Sequence, residues 1–385
     1  MTEKTLEPGS ILGVLGGGQL GAMFADAARR MGYHVAVWDP DADAPAHRMA
    51  CHSFTAPFSD MAARTQFSHA VHAVTFEWEN VPAELCEWLE QRHRVRPAGA
   101  VLRIIQDRIA QKQFLQSGRL PVQSFVAIES PDQLAEAVQQ VGVPAVCKTA
   151  TSGYDGKGQW ILRQNSDVAQ VEQALRMVAK SGFRWILETF VNFERELSVL
   201  VVRGEGGECQ IYPVVENRHE QGILRMTLAP STVSSDVATR AAELAGQAVR
   251  TLNGVGVFCV ELFQVAGDDL LINEIAPRPH NSGHYTLEAC SVSQFEQQVR
   301  VVCGMPLGEA RLLSPAAMVN LIGEEARSVT SRRGFTDLLS IPGAVLHLYG
   351  KRVVRPGRKM GHVTFLADRS EVAAERAHQF MAQLV

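Results

Sequence analysis

At 385 residues the chain is too long for a single hydrophobic core and divides into two to four domains. With 46% hydrophobic and 20% charged residues it reads as soluble and globular, and a net charge of −4 argues against nucleic-acid and acidic-membrane partners. Seven scattered cysteines without a C-x-x-C leave neither a disulfide frame nor a zinc knuckle and point to reduced thiols in a cytoplasm. The start is polar, and the apolar stretch after it is short and broken by glycines, unlike a signal peptide or membrane span.

Ile11–Leu15 reads as a buried strand, 19–31 as a helix, and 35–38 and 71–76 as further strands. This alternation predicts a doubly wound, mostly parallel domain over 1–99. Gly16, Gly18 and Gly21 fit G-x-G-x-x-G, and Asp39 follows about twenty residues on, the spacing of a dinucleotide fingerprint. Residues 100–118 read as one amphipathic helix with Arg103, Asp107, Arg108 and Lys112 on its polar side. Ser130-Pro131-Asp132-Gln133 has the form of a capping box. Strands at 145–149 and 159–162 flank TSGYDGKG, and a helix at 167–180 leads to a strand at 184–190. With the linker helix these make a small α/β lid domain over 100–190. Beyond Glu196 the chain is strand-rich around one long helix at 236–252, predicting a larger mixed-sheet domain over 191–310. Short strands and a terminal helix after Pro315 form a small C-terminal cap over 311–385. The fold class is thus α/β and α+β.

VELFQVAGDDLLINEI contains two alternating strands about a turn at Gly267-Asp268. If Ala266 and Asp269 close that turn, Glu261 lies directly opposite Glu274. Like charges paired across strands are destabilising, and the apolar surroundings add a desolvation cost. A divalent cation such as Mg²⁺ reverses that sign. An exposed hairpin with a longer turn would instead shift the register and separate the pair.

Lys148 sits in the otherwise apolar PAVCKTA, where a buried ammonium must find an anion or lose its proton. Gly153, Gly156 and Gly158 surround Lys157 just beyond, as in a loop that lets backbone amides approach phosphate; a glycine-rich hairpin tip is the alternative. It is not a Walker A loop, because Thr151 and Gly158 replace its glycine and its Ser/Thr. KRVVRPGRKMGH puts five cations into nine residues, which suits a solvated turn or a dianionic phosphomonoester.

Taken together, the strand lysine, the glycine-rich lid, Glu188, Glu196 and the paired glutamates resemble an ATP-grasp enzyme. More narrowly, FEWENVP, QDRIAQK, TSGYDGKGQ, APRPHNSGHYT and YGKRVVRPGRKMGHVT resemble the N5-carboxyaminoimidazole ribonucleotide synthetases of purine biosynthesis, from Ile11 to about Phe365. The resemblance implies that Arg108 and Lys148 hold ATP phosphates, with Gly153, Tyr154, Asp155, Gly156, Lys157, Gly158 and Gln159 folding over them. It implies an adenine hinge at Glu188, Thr189, Phe190 and Val191, ribose contacts from Glu196, and His219 lining the nucleotide site. Glu261 and Glu274 would hold Mg²⁺ with Asn273 nearby; Ala276 stands where many relatives have a further Asn ligand.

By the same resemblance the glycine loop faces the ribonucleotide, met by Gln19 and Leu20 at a helix N-terminus that favours a phosphate or its ribose. Glu79 lies at a strand's C-terminal end, where open α/β sheets bind ligands. Arg278 and His280 would handle the carboxylate and Asn281 would contact substrate. Tyr154 and Asp155 would approach the aminoimidazole, and Lys351 and Arg358, with Lys359, its phosphate. Pro279 and Gly283 oppose the helix that a metal pair of His280 and His284 would need.

The implied reaction joins bicarbonate to 5-aminoimidazole ribonucleotide at the expense of ATP, through carboxyphosphate. A homodimer, and a hand-off of product to a following mutase, complete the expectation. A formate-using glycinamide ribonucleotide transformylase, a non-catalytic nucleotide sensor and an NAD-linked dehydrogenase are the competing readings.

Overall fold

The computed structural model describes residues 5–151, 153, 158–179 and 182–384. Its first sheet consists of β1 (Ile11–Leu15), β2 (His34–Trp38), β3 (His52–Phe54), β4 (Ala73–Phe76) and β5 (Arg94–Val95). They run parallel in the order β3-β2-β1-β4-β5. The apolar runs of β1, β2 and β4 are buried because helices cover both faces, as parallel sheets require.

The expected single helix at 100–118 is two, Gly99–Gln106 and Arg108–Ser117. Asp107 adopts extended backbone and its carboxylate accepts from the Ile109 and Ala110 amides, an N-cap that restarts the helix in a new direction. Lys112, expected on a polar face, is consequently buried at 3% exposure.

β6 (Phe125–Ile128), β7 (Ala145–Thr149), β8 (Gln159–Leu162) and β9 (Trp185–Thr189) form an antiparallel sheet in the order β6-β9-β7-β8. The Ser130–Gln133 capping box is present and leads into the helix Leu134–Val141.

The remaining strands are β10 (Arg195–Arg203), β11 (Cys209–Ile211), β12 (Val215–Glu220), β13 (Ile223–Ala229), β14 (Gly256–Gln264), β15 (Leu270–Ala276), β16 (Ala316–Ile322), β17 (Ala344–Leu348) and β18 (Lys359–Leu366). They make one sheet in the order β15-β14-β10-β12-β13-β16-β18-β17, with β11 on β10. It was expected to be mixed, yet each pairing is antiparallel. The strands after Pro315 extend this sheet through β13 and β16.

The helix Ser235–Leu252 lays Val237, Ala241, Ala245, Ala248 and Leu252 into the core over β10 and β14, the spacing of one helical face. Phe295, Val299 and Val302 of the helix Gln294–Cys303 share a core with Leu12, Phe24 and Val35. That shared core fixes the first sheet against the third, so the strand ends of both open on one cleft. Among the described residues no helix is long and apolar enough to cross a membrane.

Candidate active site

The three sheets meet at a cavity of about 760 Å³, a size typical of small-molecule sites. Every expected site residue among the described residues lines it. Tyr154, Asp155, Gly156 and Lys157 lie outside the described residues.

Glu261 on β14 and Glu274 on β15 stand opposite each other, but by an unexpected route. The turn is longer than two residues: the Val265 amide donates to Asp269 O at 2.9 Å, and Leu262 pairs with Ile272. That register alone would separate the glutamates. Asn273 is the extra residue of a β-bulge, and it restores the pairing one step further on. Its Oδ1 is buried and has no hydrogen-bond partner among the described residues. Burial and the Glu274 charge push the Glu261 carboxyl up to about 7, against the pull of His219. Two opposed carboxylates and an unpaired amide oxygen fit a divalent cation.

Lys148 on β7 places Nζ 2.6 Å from Glu188 Oε2 on β9. The Glu188 side chain is 2% exposed and also faces Lys112 Nζ, 3.4 Å from Oε1. Burial opposes ionisation of Glu188, yet Lys148 and then Lys112 hold its carboxyl down to about 2. Burial lowers the Lys112 ammonium to about 8. Arg108 donates to Thr149 O (3.1 Å) and Gly153 O (2.6 Å), tying the second helix of the broken pair to the lid backbone. Thr189, Phe190 and Val191 continue β9 along the cavity wall with Gly158 and Gln159.

Glu196 Oε2 lies 2.8 Å from His219 Nδ1. Burial would lower this imidazole, but the hydrogen bond and charge of Glu196, with Glu261 beyond, hold it above its ordinary value. Phe193 and Phe263 stack at 4.8 Å, nearly parallel, on the same wall.

The glycine loop is already occupied by the chain itself. Glu77 accepts from the Gly18 amide (2.9 Å) and the Gly21 amide (3.1 Å), and Asp39 accepts from Gly17 (2.6 Å). A Cβ on Gly16 or Gly18 would lie 2.7 Å from Glu77, so these glycines make room for a carboxylate where a dinucleotide fingerprint makes room for pyrophosphate. The amides of Gly17, Gly18 and Gly21 are therefore not offered to a ligand phosphate. Gln19 and Leu20 beside them still face the cavity.

Arg278 Nε donates to Glu79, and this ion pair holds the Glu79 carboxyl below its ordinary value although burial opposes it. The Ser282 amide donates to His280 Nδ1 (3.3 Å), leaving His280 Nε2 to face Glu261 Oε1 at 3.3 Å. Both side-chain polar atoms of Asn281, 7% exposed, lack a hydrogen-bond partner among the described residues. Across the cavity, Lys351 Nζ donates to Lys359 O (2.8 Å) and lies 5.5 Å from the Tyr349 ring centroid. Arg358 donates to Val353 O (2.7 Å), so this basic segment is a folded turn, and Arg355 joins it at the cavity.

His284 is not a metal partner of His280. Its ring lies tilted against His362 (4.8 Å between centroids), which stacks on His347 (4.5 Å). His284 and His362 are fully buried, and burial holds both imidazoles well below their ordinary value. The folded chain thus keeps them neutral while the unfolded chain protonates below about pH 6.5. The contribution of this pair to stability is expected to be full above that pH and to fall by about 1.4 kcal/mol per imidazole per pH unit below it. Calorimetric melting at pH 7.5 and 5.5 checks this; the His284→Gln/His362→Gln chain is the matching control and should lose less of its midpoint between the two pH values than the parent.

Sequence reasoning missed Glu77, Lys112, Phe193 and Phe263. The glutamate stands in the quoted FEWENVP and the lysine in QDRIAQK, but neither motif shows where its side chain points.

Family models match as an ATP-grasp domain (113–295), a ribonucleotide synthetase preATP-grasp domain (10–106) and a phosphoribosylaminoimidazole carboxylase C-terminal domain (316–376). The N5-carboxyaminoimidazole ribonucleotide synthase of Bacillus subtilis is 41% identical over 367 residues, covering 95% of this chain and 94% of its own. The ADP complex of an N5-carboxyaminoimidazole ribonucleotide synthetase superposes with TM-score 0.93 at 38% identity, covering 99% of this chain and 98% of the other. The Aspergillus clavatus N5-carboxyaminoimidazole synthase, solved with ADP and 5-aminoimidazole ribonucleotide, gives 0.88 at 33%, covering 98% and 99%. Near-complete coverage at these identities, with a superposable fold, means that the chain belongs to the N5-carboxyaminoimidazole ribonucleotide synthetase family of ATP-grasp enzymes.

Proposed function

We propose that the chain carboxylates the exocyclic amine of 5-aminoimidazole ribonucleotide with bicarbonate, converting ATP to ADP and phosphate. The observation that carries this reading is one cavity holding opposed carboxylates (Glu261, Glu274) together with a basic turn (Lys351, Arg358). Such a cavity can take a nucleotide triphosphate and a phosphomonoester at once.

Bicarbonate is a poor electrophile. One of its oxygens attacks the γ-phosphorus of ATP, ADP leaves, and the carbon now carries phosphate as a leaving group. The amine then attacks that carbon and phosphate departs, or phosphate departs first and the amine attacks the CO₂ left beside it; in either order the nitrogen gives up one proton, which the released phosphate can take. The protein's contribution is position and charge. Glu261 and Glu274, with Asn273, would hold Mg²⁺, which when bound neutralises charge on the phosphates. Lys148 and Arg108 take phosphate oxygens, while Glu188–Val191, Glu196 and His219 line the nucleoside. Arg278 and His280 hold the carboxylate-bearing species, with Glu79 orienting the guanidinium. Gln19, Leu20 and Asn281 face the ribonucleotide, and Lys351, Arg358 and Lys359 take its phosphate. By resemblance alone, the segment 153–159 is assigned to keeping water from carboxyphosphate, and Tyr154 and Asp155 to the aminoimidazole. A cytoplasmic homodimer that passes product to a following mutase completes the reading on the same ground.

ADP release from MgATP and bicarbonate, with and without 5-aminoimidazole ribonucleotide, tests it. Strong stimulation by that ribonucleotide is expected. Stimulation only by glycinamide ribonucleotide with formate would overturn the substrate and keep the ATP site.

A further inference from the structure

A buried ammonium and a half-buried one share one buried carboxylate behind the nucleotide site. Glu188 gives one oxygen to Lys148 (2.6 Å) and the other to Lys112 (3.4 Å). The two lysines differ in their freedom. Lys112 Nζ also donates to Gln123 Oε1 (2.8 Å) and to Ile272 O (3.1 Å), and its side chain is 4% exposed. It is held by three elements at once: β9 of the lid, the segment before β6, and β15, which carries Glu274. The Lys148 side chain is 21% exposed, Glu188 is its one ion-pair partner among the described residues, and it lines the cavity.

We propose that Lys112 is a positioning residue for Lys148: it retains Glu188 as an anion, leaving one positive charge in surplus so that Lys148 can move to a nucleotide phosphate. This rests on the ATP reading of the cavity. Without Lys112, a departing Lys148 would strand without a partner a carboxylate that is only 2% exposed, which is strongly unfavourable. Glu188 would then keep Lys148 for itself, and the pair would present no net charge to ATP.

The test is equilibrium binding of MgATP to the full chain by calorimetry, with KM values for ATP and ribonucleotide alongside. Lys112→Met is expected to weaken ATP binding by roughly tenfold to a hundredfold, the size of a lost charge-assisted hydrogen bond, and to leave the ribonucleotide KM within about twofold. Adding Glu188→Gln to Lys112→Met is expected to recover most of that loss, because the captor of Lys148 is gone. A merely structural lysine predicts the opposite, a double variant weaker than the single one, and that result overturns the proposal. So does Lys112→Met binding ATP as tightly as the parent. Should the methionine variant not fold, Lys112→Gln keeps the polar contacts, drops the charge and carries the same comparison. A parent chain that fails to bind MgATP would overturn the ATP reading itself, an outcome distinct from parent and variant binding alike.

Discussion

Glu274→Gln is expected to lower ribonucleotide-dependent ADP release by about 10³-fold while the fold survives. Gln has nearly the volume of Glu and keeps one acceptor oxygen, so β15 need not move. What disappears is one of two carboxylates that face each other on neighbouring strands. The pair is costly in the folded chain, as the raised Glu261 carboxyl shows. Removing one charge should therefore stabilise the protein in the absence of a cation and remove half of the carboxylate pair that would hold one. The two effects have opposite signs. Melting without metal should rise or stay level, and the rise in melting temperature that MgATP produces in the parent should vanish. Unchanged turnover would refute the assignment of this pair, whatever happened to the melting temperature.

Lys351→Ala is expected to raise the KM for the ribonucleotide by roughly tenfold to a hundredfold, with the KM for ATP nearly unchanged. A charge-assisted hydrogen bond to a dianionic phosphate is worth about 1.5–3 kcal/mol, and that range sets the factor. The turn carrying Lys351 and Arg358 is separate from the strands that carry Glu261, Glu274 and Lys148, so the two ligands should respond independently. The Lys351 ammonium also donates to the Lys359 carbonyl, so Lys351→Ala frees a backbone acceptor within the turn. Lys351→Gln can restore that donor without the charge, and if phosphate recognition is the role it should remain defective. A defect in ATP binding alone would place the basic turn on the wrong ligand.

The local features were legible because their causes are local. Buried parallel strands show as apolar runs, the Ser130–Gln133 box completes itself within four residues, and Pro279 and Gly283 bar an α-helix that would join His280 to His284, where the chain makes only a 3-10 turn at Asn281–Gly283. The glutamate pairing was also readable, but through a compensation no pattern exposes. A turn one residue too long and a bulge at Asn273 cancel, and only the hydrogen-bonded ladder shows both. Residues 100–118 keep a helical period throughout, so nothing in the spacing marks the break; what ends the first helix is the Asp107 carboxylate turning to cap the second.

By itself, then, the amino-acid sequence determined which chemistry-bearing side chains are present, the strands and turns that carry them, and the family they belong to. Tertiary structure alone decided who partners whom over long separations. It put Lys112 against Glu188, filled the Gly16–Gly21 loop with Glu77, and ran the C-terminal strands into the central sheet. The physical reason is the same in each case. A backbone pattern is set by neighbours a few residues away, whereas an ion pair or an occupied amide is set by desolvation between elements that meet only when the core closes.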